Sequence, residues 1–192
     1  MEAVRKLDEY YTYEDYYKWD DDNRWELIDG VPYLMAPAPS YRHQSVSVEL
    51  TRQLSNFLKE NPCKVLAAPV DVRLNADDKD DTVVQPDIIV VCDEAKFEKS
   101  GRSVVGAPDF VVEILSPSTA KRDWITKKKL YQKYGVKEYW IVDIGIKGVM
   151  THVLVDNVGY ISQSYGEHDD AVPVAVLEGC TINLTDVFEG IE

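Results

Sequence analysis

The sequence predicts an α/β chain with an α+β tendency: a mixed central sheet flanked by helices, with additional β-hairpins. Three observations carry that expectation. Ile88 to Cys92 is an uninterrupted apolar run, and Phe110 to Leu115 is a second, broken only by Glu113. Short continuous runs rich in Val and Ile suit strands covered on both faces. A helical stretch then leads into a third apolar run, Glu138 to Asp143, and strand–helix–strand favours parallel pairing through a right-handed crossover. Finally, Asp29-Gly30 and Asp156-Asn157-Val158-Gly159 each separate two strand-like runs, which marks hairpins.

In chain order, Thr12-Tyr13-Glu14-Asp15 reads as a capping box opening a short helix over about Tyr13 to Trp19. Its tyrosines are expected to pack rather than stack on bases. Asp20-Asp21-Asp22-Asn23 is a polar turn. Trp25 to Ile28 and Val31 to Met35 form the first hairpin, and Pro37-Ala38-Pro39 breaks it. Tyr41 to Lys59 is helical, with Val46, Leu50, Leu54, Phe57 and Leu58 as the apolar stripe; Asn61-Pro62 ends it. Lys64 to Leu74 reads as one strand, with Pro69 at a bulge or edge and Asp71 pointing outward. Asn75 to Asp81 is an acidic loop without the spacing or terminal Glu of a calcium loop. Asp93 to Gly106 reads as a mobile polar connection. Ser116-Pro117-Ser118-Thr119 supplies a turn with capping hydroxyls, then a helix of roughly four turns that Gly135 stops. Lys133 and Lys137 suit the negative end of that helix. Val149 to Val155 and Tyr160 to Ser164 form the second hairpin. Pro173 to Leu177 adds a strand, and Leu184 to Phe188 a closing helical turn.

With 192 residues the chain accommodates one domain and is too short for two: a core over about 25–145 and a sheet extension over 146–192. Its 45% hydrophobic and 29% charged residues are those of a soluble globular protein. No run approaches the roughly 18 consecutive apolar residues of a membrane span, and the charged, aromatic N-terminus reads as no signal peptide. Cys63, Cys92 and Cys180 make neither a CxxC pattern nor an obvious disulfide set, which favours a reducing cytoplasm. The net charge of -13 argues against a generic nucleic-acid coat. Yet Lys121 to Lys137 holds seven basic residues and one acid. That stretch is either a phosphate-facing edge or a solvated lysine face.

Asp87 and Glu113 stand where strands carry hydrophobes. A buried carboxylate is expensive, so each is expected to be paired, protonated or bound to a cation. If their strands are neighbours, the two carboxylates crowd and repel, and an oxygen-preferring divalent cation relieves the repulsion. Asp123, Lys127, Tyr131 and Tyr134 recur at helical spacing and share one face, so Asp123 and Lys127 are expected to point back at the pair. The structural alternative is a buried Glu113–Lys127 ion pair.

Pro86-Asp87, Glu113 on a later strand and a nearby Lys resemble the PD-(D/E)XK nuclease superfamily. A longer ordered set is more specific: Glu26-Leu27-Ile28-Asp29-Gly30, Pro37-Ala38-Pro39-Ser40, His43, Gln85-Pro86-Asp87, Glu113 to Thr119, Asp123, Lys127, Tyr131 and Gly135 to Trp140. It resembles the Uma-two family of restriction-endonuclease-like proteins, over about Trp25 to Phe188. The resemblance implies a restriction-endonuclease-like fold and a metal-dependent endonuclease acting on nucleic acid, DNA in the first instance. Asp87 and Glu113, with the backbone carbonyl of Ile114, would hold Mg2+ (or Mn2+). Glu26 would either add a metal ligand or be a salt-bridged surface residue. The superfamily lysine lies two residues beyond the Glu, where this chain has Leu115. Lys127 is read as its migrated replacement, with Lys128 the next candidate. His43, Gln85, Asp123, Lys128 and Tyr131 are expected on the substrate side, His43 orienting a water or contacting a phosphate. The apolar tail hairpin and the resemblance together suggest a homodimer. The shifted lysine and acidic charge leave an alternative: a non-catalytic nucleic-acid or protein interaction module that keeps the fold.

Overall fold

Two β-sheets meet at Gln85-Pro86-Asp87, where the chain leaves one and enters the other. The computed structural model describes residues 9–35, 38–76, 78–116, 120, 122–166 and 168–191. Pro37 of the expected strand break, Asp77 of the acidic loop, the hydroxyl-rich turn at 117–119 and Lys121 lie outside the described residues.

Helix α1 (Tyr13–Tyr17) starts where the box pattern places it: the Asp15 carboxylate accepts from the Thr12 backbone N–H at 2.9 Å and from its hydroxyl at 2.8 Å. Strands β1 (Trp25–Ile28) and β2 (Val31–Leu34) form the first hairpin. It closes with positive φ at Asp29 (48°) and Gly30 (79°), the left-handed pair that a two-residue turn needs. Helix α2 (Tyr41–Leu58) is capped by the Ser40 hydroxyl, which accepts from the His43 N–H. It buries Val46, Leu50, Leu54 and Leu58, whereas Phe57 falls outside the stripe at 39% exposure.

The expected strand from Lys64 to Leu74 is instead two. The chain turns at the cis Ala68-Pro69 bond, so β3 (Lys64–Ala67) and β4 (Asp71–Arg73) join different sheets. Asp71 is half-buried rather than outward and accepts from the Tyr16 hydroxyl at 2.9 Å. Strands β5 (Val83–Val84) and β6 (Ile88–Val91) flank the Gln85-Pro86-Asp87 step. The polar connection after β6 is not bare loop: it holds a single 3-10 turn at Glu94–Lys96 and β7 (Ser103–Val105), parallel to β4. Then come β8 (Phe110–Ile114), a π-helical segment Arg122–Lys127 and α3 (Lys128–Tyr134). Gly135 ends α3 with φ 82°. The remainder is β9 (Glu138–Asp143), β10 (Gly148–Val155), β11 (Gly159–Tyr165), β12 (Ala171–Pro173), β13 (Thr181–Asn183) and α4 (Leu184–Val187).

One sheet has the order β2-β1-β5-β4-β7, and the other β11-β10-β9-β8-β6-β3. In the second, β8 and β9 are parallel, as strand–helix–strand requires, and every other neighbour pair is antiparallel. The hairpin β10–β11 extends this sheet as expected. The last strands do not: β12 and β13 pair only with each other, and Asn183 exchanges backbone bonds with the Gln53 amide on α2. The cysteine expectation also fails. Lys64 pairs with Val91 at the end of the β3–β6 ladder. One residue further out, Cys63 and Cys92 form a disulfide, which removes the argument from unpaired cysteines. No described helix is long and apolar enough to cross a membrane.

The central strands are buried on both faces, with period 2. Ile88, Val90, Phe110, Val112, Trp140 and Val142 pack with α2 and the C-terminal tail. Ile89, Val91, Val111, Tyr139 and Ile141 pack on the other face with Leu130 and Tyr131 of α3 and with the first sheet. Alternation puts Glu113 on that second face, toward α3. Leu50 is fully buried against the first face. Leu50→Ala is therefore expected to lower unfolding free energy by about 3 kcal/mol in urea titrations, while Val48→Ala, on the exposed side of the same helix at 66% exposure, changes it by less than about 0.5 kcal/mol.

Candidate active site

Strands β6 and β8 run antiparallel with Ile88 opposite Val112, so the next step of the ladder sets Asp87 across from Glu113. The Ile114 N–H donates to Asp87 Oδ2 at 2.8 Å. Asp87, Glu113 and Ile114 all line one cavity of about 650 Å³. His43, on the first turn of α2, points into the same place. Its Nε2 is 3.1 Å from the Ile114 carbonyl oxygen and 3.2 Å from Asp87 Oδ2. The carbonyl only accepts, so Nε2 carries hydrogen and donates. Burial acts to lower the His43 pKa, but the Asp87 hydrogen bond and charge outweigh it and hold the imidazole above its ordinary value.

Behind this edge lies a buried ion cluster. Glu113 Oε1 accepts from Lys127 Nζ at 2.8 Å and from the Tyr131 hydroxyl at 2.7 Å. The same ammonium is 2.8 Å from Glu26 Oε1 and 3.9 Å from Asp123 Oδ1. Glu26 is 0% exposed. Its Oε1 also accepts from the Gln85 N–H at 3.1 Å, and its Oε2 lies 3.8 Å from the Arg122 guanidinium. Burial pushes the Glu113 carboxyl up to about 8, with Asp123, Asp87 and Glu26 adding to the rise against the opposing pull of Lys127. For Lys127, burial acts downward, but Glu113, Glu26 and Asp123 outweigh it and hold the ammonium above its usual range. Burial and the neighbouring Glu113 raise Tyr131 well above an ordinary phenol.

The helix expected to carry Asp123 and Lys127 is α-helical only from Lys128. Across Arg122–Lys127 it is widened to a π turn. That turn buries Asp123 and Lys127 and leaves Trp124 and Ile125 exposed. Inserted π turns are common where a helix must present side chains to a site. The Tyr139 hydroxyl secures it by donating to the Asp123 carbonyl at 3.2 Å.

Most of the predicted residues converge: Asp87, Glu113, Ile114, Lys127, Asp123, His43 and Glu26. The surface alternative for Glu26 is overturned by its burial. Three expectations need correction. Lys128 reaches Ser162 on β11, 3.4 Å away, and not the carboxylates. Tyr131 is fully buried beneath Glu113 and does not line the cavity, so it holds Glu113 and does not face a substrate. Gln85 lines the cavity, but its amide is engaged within the protein: its oxygen accepts from Arg24, and its nitrogen donates to Asp71 and Tyr16. The lysine stretch is not one phosphate-facing edge either, because Lys133 pairs with Asp29 at 3.0 Å and Lys137 with Asp109 at 2.7 Å. Positive charge at the cavity comes from Arg122 and Lys127 of that stretch and from Arg24 and Arg42 outside it. Arg24 and Arg42, isolated on two separate elements, leave no pattern in a sequence.

The donor set at the cavity is two carboxylates and a backbone carbonyl on adjacent strands, all oxygen. Three carboxylates, Glu113, Glu26 and Asp123, surround one ammonium, Asp87 adds a fourth acid across the ladder from Glu113, and Arg122 stands at long range, so acids outnumber cations. Both features fit a hard divalent cation that completes its shell with water or substrate oxygens. Among the described residues, no three His, Cys, Asp or Glu groups close on a common point. Lys127 stands between Glu113 and Glu26, where a third carboxylate would otherwise join. The fit is therefore to an edge site at Asp87 and Glu113, not to an enclosed cage.

A mixed sheet that brings an Asp and a Glu from adjacent strands to one cavity, with a lysine against them, has the restriction-endonuclease-like architecture. Residues 13–185 match the Uma2 family, described as "Putative restriction endonuclease", and the chain belongs to that family. Its fold is similar to the crystal structure of a putative nuclease belonging to DUF820 from Anabaena variabilis ATCC 29413. The TM-score is 0.74 at 20% identity, over 93% of this chain and 98% of that one, and at that identity the likeness is one of fold. No curated protein matches the chain.

The raised Glu113 has a consequence for stability without metal. Its pKa moves from 4.5 unfolded to about 8 folded, so the folded protein keeps a proton that the unfolded chain loses. The contribution is fully present below pH 4.5 and is lost as pH rises toward 8, at most roughly 1.4 kcal/mol per pH unit. In EDTA, Glu113→Gln is expected to flatten the fall of unfolding free energy across this window. Urea titrations that give parallel profiles for the two proteins would contradict it.

Proposed function

We propose that this chain is a metal-dependent nuclease that hydrolyses DNA phosphodiester bonds with Mg2+ or Mn2+, working as a single restriction-endonuclease-like domain. The observation that carries the reading is the meeting of Asp87 and Glu113 across β6 and β8 in one cavity, with the Lys127 ammonium 2.8 Å from Glu113. Asp87, Glu113 and the Ile114 carbonyl would hold the metal. The chemistry a divalent ion supplies at such a site is a more acidic water and neutralised charge on the phosphate oxygens.

The chain's own groups do the rest. Lys127 lines the cavity and is kept protonated by its carboxylate neighbours, so it presents a fixed positive charge to the attacking water or the scissile phosphate. Glu26 and Asp123 position that ammonium. Tyr131 fixes the rotamer of Glu113 from below. His43 and the Ile114 N–H orient Asp87, which limits the reorganisation needed when substrate arrives. Two copies would associate through the tail hairpin, where Val158 and Ile161 are exposed.

A second reading has an observation of its own: Lys127 is already engaged by two carboxylates at 2.8 Å, as in a structural ion pair of a non-catalytic module. The two are separated by a panel of DNA and RNA substrates with Mg2+, Mn2+ or EDTA. The nuclease reading expects metal-dependent cleavage that Asp87→Ala/Glu113→Ala abolishes and Lys127→Ala slows by about 10²–10³-fold. Equal cleavage by wild type and the double variant would overturn it. Calorimetric titration with Mg2+ or Mn2+ adds a readout without substrate: the site is lost on Asp87→Ala if Asp87 is a ligand, and there is none to lose in a non-catalytic module.

A further inference from the structure

The chain carries a net charge of -13, and the floor of its cavity is a cluster of carboxylates. Both repel a polyanion, so a strand reaching Asp87 and Glu113 needs compensating charge at the mouth. Three of the chain's seven arginines line that cavity: Arg24 just before β1, Arg42 in the first turn of α2, and Arg122 at the start of the π turn. Their partners differ from those of Arg52 and Arg73. Arg52 is 2.6 Å from Glu49 and Arg73 is 2.6 Å from Asp80, so those charges are spent. Among the described residues, Arg24 bonds only to the neutral Gln85 amide and Arg42 only to the Tyr41 hydroxyl. Arg122 has its closest carboxylate at 3.8 Å and a buried Nε with no hydrogen-bond partner.

Arg24 is also held in place. Its Nε and a terminal nitrogen donate to Gln85 Oε1 at 3.1 and 2.6 Å. The Gln85 nitrogen in turn donates to Asp71 at 2.8 Å and to the Tyr16 hydroxyl at 3.0 Å. The network fixes one edge of the guanidinium through a neutral amide, with the Asp71 carboxylate one residue removed, and leaves the remaining donors for a ligand. A planar fork of donors with no carboxylate bonded to it matches the oxygens of a phosphodiester.

We propose that Arg24, Arg42 and Arg122 form a phosphate-binding rim that holds the backbone of a nucleic-acid strand over the acidic floor. The proposal deepens the nuclease reading and rests on it for the identity of the ligand. Gln85 acts here as a positioning residue for Arg24, which accounts for its saturated amide.

The test reads binding, not cleavage. The full chain is titrated in EDTA against fluorescent duplex DNA, single-stranded DNA and RNA by anisotropy, at several salt concentrations. Arg24→Gln and Arg42→Gln are expected to weaken binding. Each should lower the slope of log affinity against log salt by about 0.9 for duplex or about 0.7 for single strands. Arg24→Lys and Arg42→Lys, which keep the charge and lose the fork, should keep the slope and bind more weakly than wild type. Arg52→Gln should change neither. Arg24 and Arg42 are exposed, so the variants should melt like wild type. An Arg24→Gln/Arg42→Gln double variant with wild-type affinity and slope for every probe, or a wild type that binds none of them, overturns the rim. Failure of the nuclease reading looks different: cleavage is absent or survives Asp87→Ala/Glu113→Ala, while the salt slopes still depend on the arginines.

Discussion

The Lys127 ammonium, held between Glu113 and Glu26 at 2.8 Å from each, is the interaction on which the architecture turns. Glu113 belongs to the six-stranded sheet, Glu26 to the five-stranded one, and Lys127 to the π turn that covers them. One cation therefore joins three elements distant in the chain. Removing one partner from a buried ion pair leaves the other without compensation, at a cost of about 3–5 kcal/mol. That is a large part of a domain's whole stability. The flanking bonds follow from the same need. Tyr131 and the Gln85 N–H supply the further donors that buried carboxylates require.

A buried strand acid does not by itself make a site, and β9 supplies the counterexample. Glu138 is as buried as Glu113, and burial raises its pKa as well. Yet one of its oxygens accepts from the Trp140 indole and the other from the Val176 N–H, and it does not line the cavity. It is a satisfied structural residue. Glu113 differs in standing across the ladder from Asp87, in opening onto a cavity, and in having more carboxylates around it than cations. Charge is also layered: acids on the floor, arginines at the mouth, and Lys133 of α3 and Lys137 just beyond it paired elsewhere with Asp29 and Asp109.

Local physics explains which parts of this were readable. The capping box at Thr12, the left-handed turn at Asp29-Gly30, the apolar stripe of α2 and the stop at Gly135 each depend on residues within a few positions of one another. The parallel pairing of β8 with β9 follows from a crossover that covers one face. Misreadings occurred where partners are remote. Lys64 to Leu74 looked continuous because its apolar pattern survives the turn at Pro69, although its halves join different sheets. Cys63 and Cys92 gave no sign of pairing because the β3–β6 register, not their separation of 29 residues, brings them together.

By itself, the sequence determined most of the strands and helices, the two out-of-place acids and the face of the helix from which a lysine answers them. Alternation of burial and helical periodicity are written into the order of side chains. Tertiary structure decided the rest. It set Lys127, not Lys128, against the carboxylates, buried Glu26 and Tyr131, tied the Gln85 amide to Arg24, Asp71 and Tyr16, and gathered Arg24, Arg42 and Arg122 around one cavity. The reason is that the energy of a charge depends on what surrounds it in space, and neighbours contributed by separate strands and helices are set only when those elements pack.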